Sequence, residues 1–217
     1  MRTRVARAGW GFQIRRGGAV VVLAALLLAP AGRAEPPGGR GAAATTPDMV
    51  VRQQWDLSCG AAALATILTY QQGDPVSERE VLAGLFQRTT PARVEERGGF
   101  SLLELKQYAV ARGYRAEGFG NLGIDDLAAL GPAIVPIRVP HGSHYLVFRG
   151  REDDRLLFAD PAAGTRIMAV GDFERVWQDH EAFVISPKNG ARQPDRLAAA
   201  PADFARAASE GPHAASP

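Results

Sequence analysis

The chain contains one cysteine in 217 residues, which excludes an internal disulfide. It also lacks clustered Cys and His ligands of a zinc site, a glycine-rich phosphate-binding loop, an internal repeat and a long heptad pattern. The apolar run at residues 19–29 has about half of the roughly 20 residues that cross a bilayer. We therefore expect no cofactor, no metal and no stable membrane span in the mature chain.

The first 34 residues have the features of a secretory signal peptide. Five arginines and no acidic residue precede the apolar run, and the small residues Gly32 and Ala34 follow it at the positions preferred for cleavage. Removing residues 1–34 takes away six arginines and no acid, so the formal net charge changes from +2 to −4. The remaining chain has no basic stripe for nucleic acid. We expect a periplasmic or secreted protein that does not bind nucleic acid.

The rest of the chain divides by composition into three parts. Residues 35–49 are rich in Pro, Gly, Ala and Thr, which predicts a flexible spacer. Residues 50–186 are long enough for one domain with its own core. Residues 187–217 are rich in Ala and Pro without sustained periodicity, which predicts a disordered tail.

Helices are expected in the first half of the domain and strands in the second half. Ser77 and Ser101 each have Glu three residues later, the pattern of a capping box at a helix start. Residues 88–99 between these helices are polar and predict a loop that borders a cleft. Short apolar runs separated by turn residues follow from residue 133 onward. This order predicts an α+β fold with an antiparallel sheet in its C-terminal half.

Cys59 lies where a polar loop turns into an apolar helix. Ser58 stands at the position of a helix N-cap, and Gly60 leaves the thiol unobstructed. A thiol on the first helical turn faces unpaired N–H groups and the positive end of the helix dipole, which favour the nucleophilic thiolate. Six residues upstream, the Gln53 amide can donate to a developing oxyanion. The alternative is that Cys59 is a buried core residue, because free cysteine packs as a small hydrophobe.

His144 and Asp160 provide a candidate base and a group to orient it. His144 begins one predicted strand and Asp160 ends the next, so pairing of residues 144–149 with 155–160 places both at the same end of a hairpin. A carboxylate beside an imidazole fixes its tautomer and orientation. Taken singly, each has a structural alternative, since Asp-Pro is a common way to leave a strand. Together with Cys59 and Gln53 they form a complete set for acyl transfer.

Three motifs carry a resemblance to a known family: Gln53-x5-Cys59-Gly60-x-Ala62-x-Leu64, His144-Tyr145-Leu146-Val147 and Asp160-Pro161. Their order over residues 50–186 resembles the bacteriocin-processing cysteine peptidases that cut after double-glycine leaders. That resemblance implies a papain-like fold with Cys59 in the helical half and with His144 and Asp160 in the sheet. It also implies that Cys59 is the nucleophile, His144 the general base and acid, Asp160 its orienter and Gln53 the oxyanion donor.

The chain departs from that family in two ways. Ser58 stands where many relatives carry an acid, and there is no transporter half or nucleotide-binding motif, so ATP-driven export is not transferred. The resemblance then implies a stand-alone secreted peptidase beside an envelope secretion system, including one that exports amyloid-like fibre subunits. Its partner would be a peptide or protein cut after Gly-Gly or Gly-Ala. Two alternatives remain: a module that binds an export substrate through the loop at 88–99 without cutting it, and transfer of the acyl group to an amine by the same four residues.

Overall fold

The computed structural model describes residues 48–140, 142–187, 190 and 195–209. The predicted signal peptide 1–34, nearly all of the spacer 35–49, and His141 and His213 lie outside these residues. The helices are α1 Cys59–Thr66, continued by a π-helical turn Ile67–Gln71, α2 Glu78–Leu85, α3 Pro91–Arg97, α4 Leu102–Ala111, α5 Ile124–Leu130, α6 Val170–Val176 and α7 Pro201–Ser209, with a 3-10 turn at Gln178–His180. The strands are β1 Arg115–Phe119, β2 Ala133–Val139, β3 Gly142–Glu152, β4 Arg155–Asp160, β5 Gly164–Ala169 and β6 Ala182–Ser186.

The six strands form one sheet in the order β1-β6-β2-β3-β4-β5, and every neighbouring pair is antiparallel. Strands β2 and β4 carry almost continuous buried residues, because helices cover both faces of the sheet there. The predicted α+β class is confirmed. No helix in the described ranges combines the length and the hydrophobicity needed to cross a membrane.

Two apolar cores lie on the opposite faces of the sheet. The first packs α1, α2 and α4 on one face, and its buried members include Leu64, Ile67, Leu68, Val81, Leu85, Leu105, Ile134, Val147 and Phe183. The second packs α5 and α6 on the other face, and its members include Leu127, Val135, Leu146, Phe148, Phe158, Phe173 and Trp177. Because α1 is buried along its whole length, the position of Cys59 at its first residue is fixed by packing.

Local capping signals explain most helix starts. Ser101 and Glu104 form the reciprocal capping box that the sequence predicts for α4. Ser77 accepts from the Glu80 N–H at the start of α2, so that helix also begins as predicted. The segment 88–99 is not the predicted loop throughout, since it contains α3. Thr90 caps this short helix, and a proline then occupies its first position.

The hairpin of β3 and β4 has an irregular register that sets the positions of His144 and Asp160. Val147 pairs with Ala159, but the register shifts between Phe148 and Gly150, which makes Arg149 the extra residue of a β-bulge. A shift of one residue would move every side chain beyond it to the other face of the sheet. The bulge therefore decides which residue of β4 meets the start of β3.

Part of the C-terminal segment is ordered, and the prediction of a disordered tail is wrong for residues 195–209. Leu197 is fully buried in the first core and Phe204, on α7, is almost fully buried. The buried Arg149 guanidinium donates to the Leu197 carbonyl at 2.8 Å, and the Ala199 N–H donates to the Arg149 carbonyl at 3.0 Å. These contacts fix the segment against the bulge. The residues between Leu197 and Phe204 are mostly alanine, so the two large apolar side chains gave no periodic signal.

Replacing Phe204 by alanine is expected to lower the free energy of unfolding by about 3–5 kcal/mol, the usual range for truncating a buried phenylalanine. Urea denaturation followed by circular dichroism measures this change. Leu103→Ala is the control, because the Leu103 side chain on α4 is 62% exposed. Equal small effects of both substitutions would contradict the packing of α7.

Candidate active site

Cys59 is the first residue of α1 and is 6% exposed. Ser58 occupies the N-cap position, as predicted, but its side chain makes no capping hydrogen bond. Its hydroxyl instead donates to the Trp55 carbonyl at 2.5 Å, because the turn before the helix brings that oxygen close. Leu57 has a left-handed backbone conformation in this turn, with φ of 63°. The first N–H groups of α1 are thus left without a side-chain cap at the thiol.

The His144 imidazole lies between the start of α1 and the end of β4. Its Nε2 donates to Asp160 Oδ1 at 2.8 Å, and the two side chains are 16% and 3% exposed. The other ring nitrogen, Nδ1, remains for the Cys59 thiol, whose interaction with the imidazole acts on the ring's ionisation. The structure thus brings together three of the four residues singled out by sequence, in the order thiol, imidazole and carboxylate.

The surroundings of His144 favour the imidazolium. Burial lowers the pKa of His144, but the hydrogen bond with Asp160 and the hydrogen bond and charge interaction with Cys59 outweigh it and raise the pKa to about 9. A proton held on the imidazole up to this pH is the partner that a thiolate requires. The site therefore holds a protonated imidazole beside the Cys59 thiol up to about this pH.

Asp160 is held as a carboxylate by several donors. Burial raises its pKa, but the hydrogen bond and positive charge of His144, the backbone N–H of Ala162 and the charge of Arg166 outweigh burial and lower it. The Ala162 N–H lies 2.9 Å from Oδ1, and Arg166 Nη1 lies 3.3 Å from Oδ2. An ionised acceptor orients the imidazole with its Nδ1 edge toward the thiol.

Gln53 lies beside the turn that follows Asp160. Its backbone N–H donates to the Pro161 carbonyl at 2.9 Å, and its Nε2 donates to the Trp55 carbonyl at 3.2 Å. An amide NH₂ group carries two donors, so one of them remains after the bond to Trp55. The buried Oε1 of Gln53 has no hydrogen-bond partner among the described residues. The structure thus places Gln53 between the two segments that carry Cys59 and Asp160.

An apolar groove of about 340 Å³ begins next to the thiol. Its lining residues are Trp55, Asp56, Leu57, Ser58, Leu82, Phe86, Pro91, Val94, Glu95 and Phe100. Trp55 is 47% exposed and Phe86 43% exposed, so both rings present apolar surface to solvent along this groove. Trp55 thus lines the groove together with helix α3, which contributes Pro91, Val94 and Glu95.

Two residues that support the site were not found from sequence. The Tyr145 ring packs on Gly60, where an added Cβ would lie 3.2 Å from it. The Glu78 carboxylate, 1% exposed, accepts the N–H of Gln54 with both oxygens at 3.1 Å and so fixes the loop that carries Gln53. The position of Tyr145 next to His144 is the signal that could have indicated its role. The sequence carried no such signal for Glu78, because acidic residues are common in the first turn of a helix.

The described residues contain no group of three or more His, Cys, Asp or Glu side chains that could hold a metal ion. His180, at the end of the 3-10 turn, is half-buried. It stacks on Trp177 with ring centroids 4.8 Å apart, and its Nδ1 donates to the Leu122 carbonyl at 2.9 Å. It therefore has a packing role away from the thiol.

Residues 48–190 match the model of the Peptidase C39 family. The chain is also 36% identical over 129 residues to a Pseudomonas aeruginosa protein named "Probable functional amyloid protease FapD". The matched region covers 59% of this chain and 56% of that relative, so the chain spans little more than half of the relative's length.

Two solved structures share the fold. One is the double glycine motif protease from an AMS/PCAT transporter in complex with the leader peptide, with a TM-score of 0.52, 24% identity, and coverage of 63% of this chain and 89% of that chain. The other is the peptidase domain of Streptococcus ComA, a bifunctional ABC transporter of a quorum-sensing pathway, with a TM-score of 0.50 and 21% identity. The alignment to the latter covers 64% of this chain and 98% of that chain. The predicted papain-like α+β fold is thereby confirmed.

Proposed function

The chain belongs to the Peptidase C39 family, and from this premise we propose that it is a periplasmic or secreted cysteine endopeptidase. The observation that carries the proposal is the alignment of Cys59, His144 and Asp160 at the start of α1. The Nε2–Oδ1 distance of 2.8 Å and the raised pKa of His144 support a thiolate–imidazolium pair. The family resemblance from sequence agrees with this class of enzyme.

In the acylation step the Cys59 thiolate attacks the carbonyl carbon of the peptide bond. The carbonyl oxygen becomes an oxyanion, and the Cys59 N–H at the uncapped end of α1 donates to it together with the free donor of Gln53 Nε2. His144 then transfers its Nδ1 proton to the leaving amine. The carbon–nitrogen bond breaks, a thioester forms on Cys59, and neutral His144 stays oriented by Asp160.

Deacylation uses the same groups in reverse. Neutral His144 takes a proton from water, and the hydroxide attacks the thioester carbonyl while the same donors hold the oxyanion. The carbon–sulfur bond breaks, the carboxylic acid product leaves, and the thiolate–imidazolium pair is restored. Transfer to an amine would differ only in the nucleophile that enters at this stage.

Gln53→Ala is expected to lower kcat roughly 10²-fold, as removal of one oxyanion donor does in other acyl-transfer sites. Gln54→Ala is the matched control, because the Gln54 side chain is exposed and only its backbone N–H is bound, to Glu78. Initial rates at saturating peptide measure both. Equal losses in the two variants would argue against a specific role for Gln53.

The substrate class is inferred from the comparisons. One solved structure is described as a double glycine motif protease with its leader peptide, and the Pseudomonas relative is named a probable functional amyloid protease. We infer that this protein cuts a leader or partner protein of a secretion system after Gly-Gly or Gly-Ala. The partner that fits best is an exported subunit of an amyloid fibre.

A peptide library made from a digested proteome tests this specificity. The purified protein is expected to cut library peptides after Gly-Gly or Gly-Ala, and the new termini are read by mass spectrometry. If no peptide is cut while an exported partner still binds, the protein would be a non-catalytic binding module, which the apolar groove alone would also support.

The groove is proposed to bind apolar side chains of the substrate on the N-terminal side of the cut. Phe86→Ser is expected to raise KM about tenfold with little change in kcat, as loss of one apolar anchor costs about 1–2 kcal/mol of binding. Leu103→Ser removes an exposed apolar side chain outside the groove lining and serves as the control. A lower kcat with unchanged KM in Phe86→Ser would contradict a binding role.

A further inference from the structure

The two oxygens of the Asp160 carboxylate have different partners. Oδ1 accepts from His144 Nε2 at 2.8 Å and from the backbone N–H groups of Ala162 and Ala163 at 2.9 and 3.3 Å. Oδ2 faces Arg166 Nη1 at 3.3 Å. Arg166 lies on β5, where it pairs with Phe158, two residues before Asp160 on β4. A guanidinium thus binds the carboxylate oxygen that the imidazole does not use.

We propose that Arg166 is a positioning residue of the active site, which binds the second oxygen of Asp160, offsets part of the carboxylate charge and so limits how tightly the carboxylate holds the imidazolium. This inference rests on the proposed function, because it concerns the same three residues. Among the described residues Arg166 makes no hydrogen bond or ion pair with Cys59 or His144, and it acts through Asp160.

The charged groups around His144 determine the sign of the effect. Cys59 faces the ring from α1, Asp160 from β4, and Arg166 lies behind Asp160 on β5. Arg52 also contributes, since its Nη2 donates to the Ala162 carbonyl at 2.7 Å and so polarises the peptide whose N–H faces Asp160. Both arginines neutralise part of the negative charge of Asp160. Removal of Arg166 therefore strengthens the attraction between Asp160 and the imidazolium and raises the pKa of His144.

A weaker ion pair between Asp160 and the His144 imidazolium favours the proton transfer of the proposed reaction. His144 must release its proton to the leaving amine after it has held that proton beside the thiolate. Proton transfer is most effective when the donor's pKa lies near the working pH. A second cation on Asp160 keeps His144 from becoming too weak an acid for this step.

The test is a titration of the His144 ring by NMR in the full chain, with the signal assigned by its loss in His144→Gln. Arg166→Gln is expected to raise the midpoint of the His144 titration by about 0.5 unit, the size expected for a partly exposed ion pair. Arg166→Lys keeps the charge and is expected to restore the wild-type midpoint. Alkylation of Cys59 by iodoacetamide, followed by mass spectrometry, gives a second pH profile, in which the limb set by loss of the His144 proton should move in the same direction.

Arg151→Gln is the matched control, because Arg151 on β3 pairs with Asp125 and has no contact with the three active-site residues. An unchanged or lowered midpoint in Arg166→Gln would overturn the inference, as would a rise of the same size in Arg151→Gln. Neither measurement needs a substrate. A protein that cuts no peptide would therefore contradict the proposed function, while the titration of His144 would still test the role of Arg166.

Discussion

Cys59→Ala is expected to abolish peptide cleavage, with a loss of roughly 10⁴-fold or more in kcat, while the protein stays folded. Removal of the nucleophile eliminates the covalent route, and only the weak contribution of binding and oxyanion donors remains. Because Cys59 is the one cysteine in the chain, the variant also lacks any thiol that could substitute for it. Rates on a cleaved library peptide and urea denaturation of both proteins measure the two parts of this expectation.

Cys59→Ser is the more demanding companion variant. A hydroxyl fits the space of the thiol, but it does not ionise beside an imidazolium at neutral pH, so we expect it to be as inactive as the alanine variant. In both variants the pKa of His144 should fall from about 9, because one of the groups that raise it is removed. Peptide cleavage at an unchanged rate in Cys59→Ala would contradict the proposed mechanism.

The hairpin that carries His144 and Asp160 could be predicted because its signals are local. His144 begins an apolar run and Asp160 precedes a proline, and pairing the two runs brings both to the same end. The exact register was not accessible, since it depends on the bulge at Arg149. A bulge on this strand is stabilised by a segment about fifty residues later, through the Leu197 carbonyl. No window of the sequence contains both partners.

Other features escaped prediction for related reasons. Strand β1 is a short edge strand in which Ala116 is the one buried residue, so it lacks the run of large apolar or β-branched residues that identifies a strand. Ser58 is a common N-cap residue, but in the folded chain its hydroxyl donates to the Trp55 carbonyl instead of accepting from a helix N–H. Arg166 looks like a solvated strand residue until β4 and β5 are paired. Contacts across strands therefore complete a site whose reactive groups local patterns already indicate.

Asp160→Asn is expected to move the alkaline limit of activity to lower pH by about a unit or more and to lower kcat roughly 10²-fold at neutral pH. In the wild-type protein the pKa of His144 is about 9, so activity should fall as pH rises through that value. A neutral amide keeps the shape of the carboxylate but removes its charge. Burial lowers the pKa of His144, and without the carboxylate less remains to raise it. The imidazolium is therefore lost at lower pH.

The same substitution has a defined effect on stability. The folded-state pKa of His144 lies above the usual value near 6.5, so its protonation stabilises the fold below pH 6.5, and this contribution is lost as pH rises to about 9. Asp160 has a lowered pKa, so its contribution is present at neutral pH and is lost as pH falls through its folded value. Asp160→Asn should therefore flatten the dependence of the unfolding free energy on pH at both ends.

Asp153→Asn provides the matched control for these two effects. Asp153 is exposed in the turn at the opposite end of the same hairpin, and asparagine tolerates its left-handed backbone, with φ of 52°. Its pH–rate profile and urea curves should match those of the wild-type protein. An alkaline limit that stays near pH 9 in Asp160→Asn would mean that the carboxylate does not hold the imidazolium. In that case the 2.8 Å contact between the two side chains would be structural rather than catalytic.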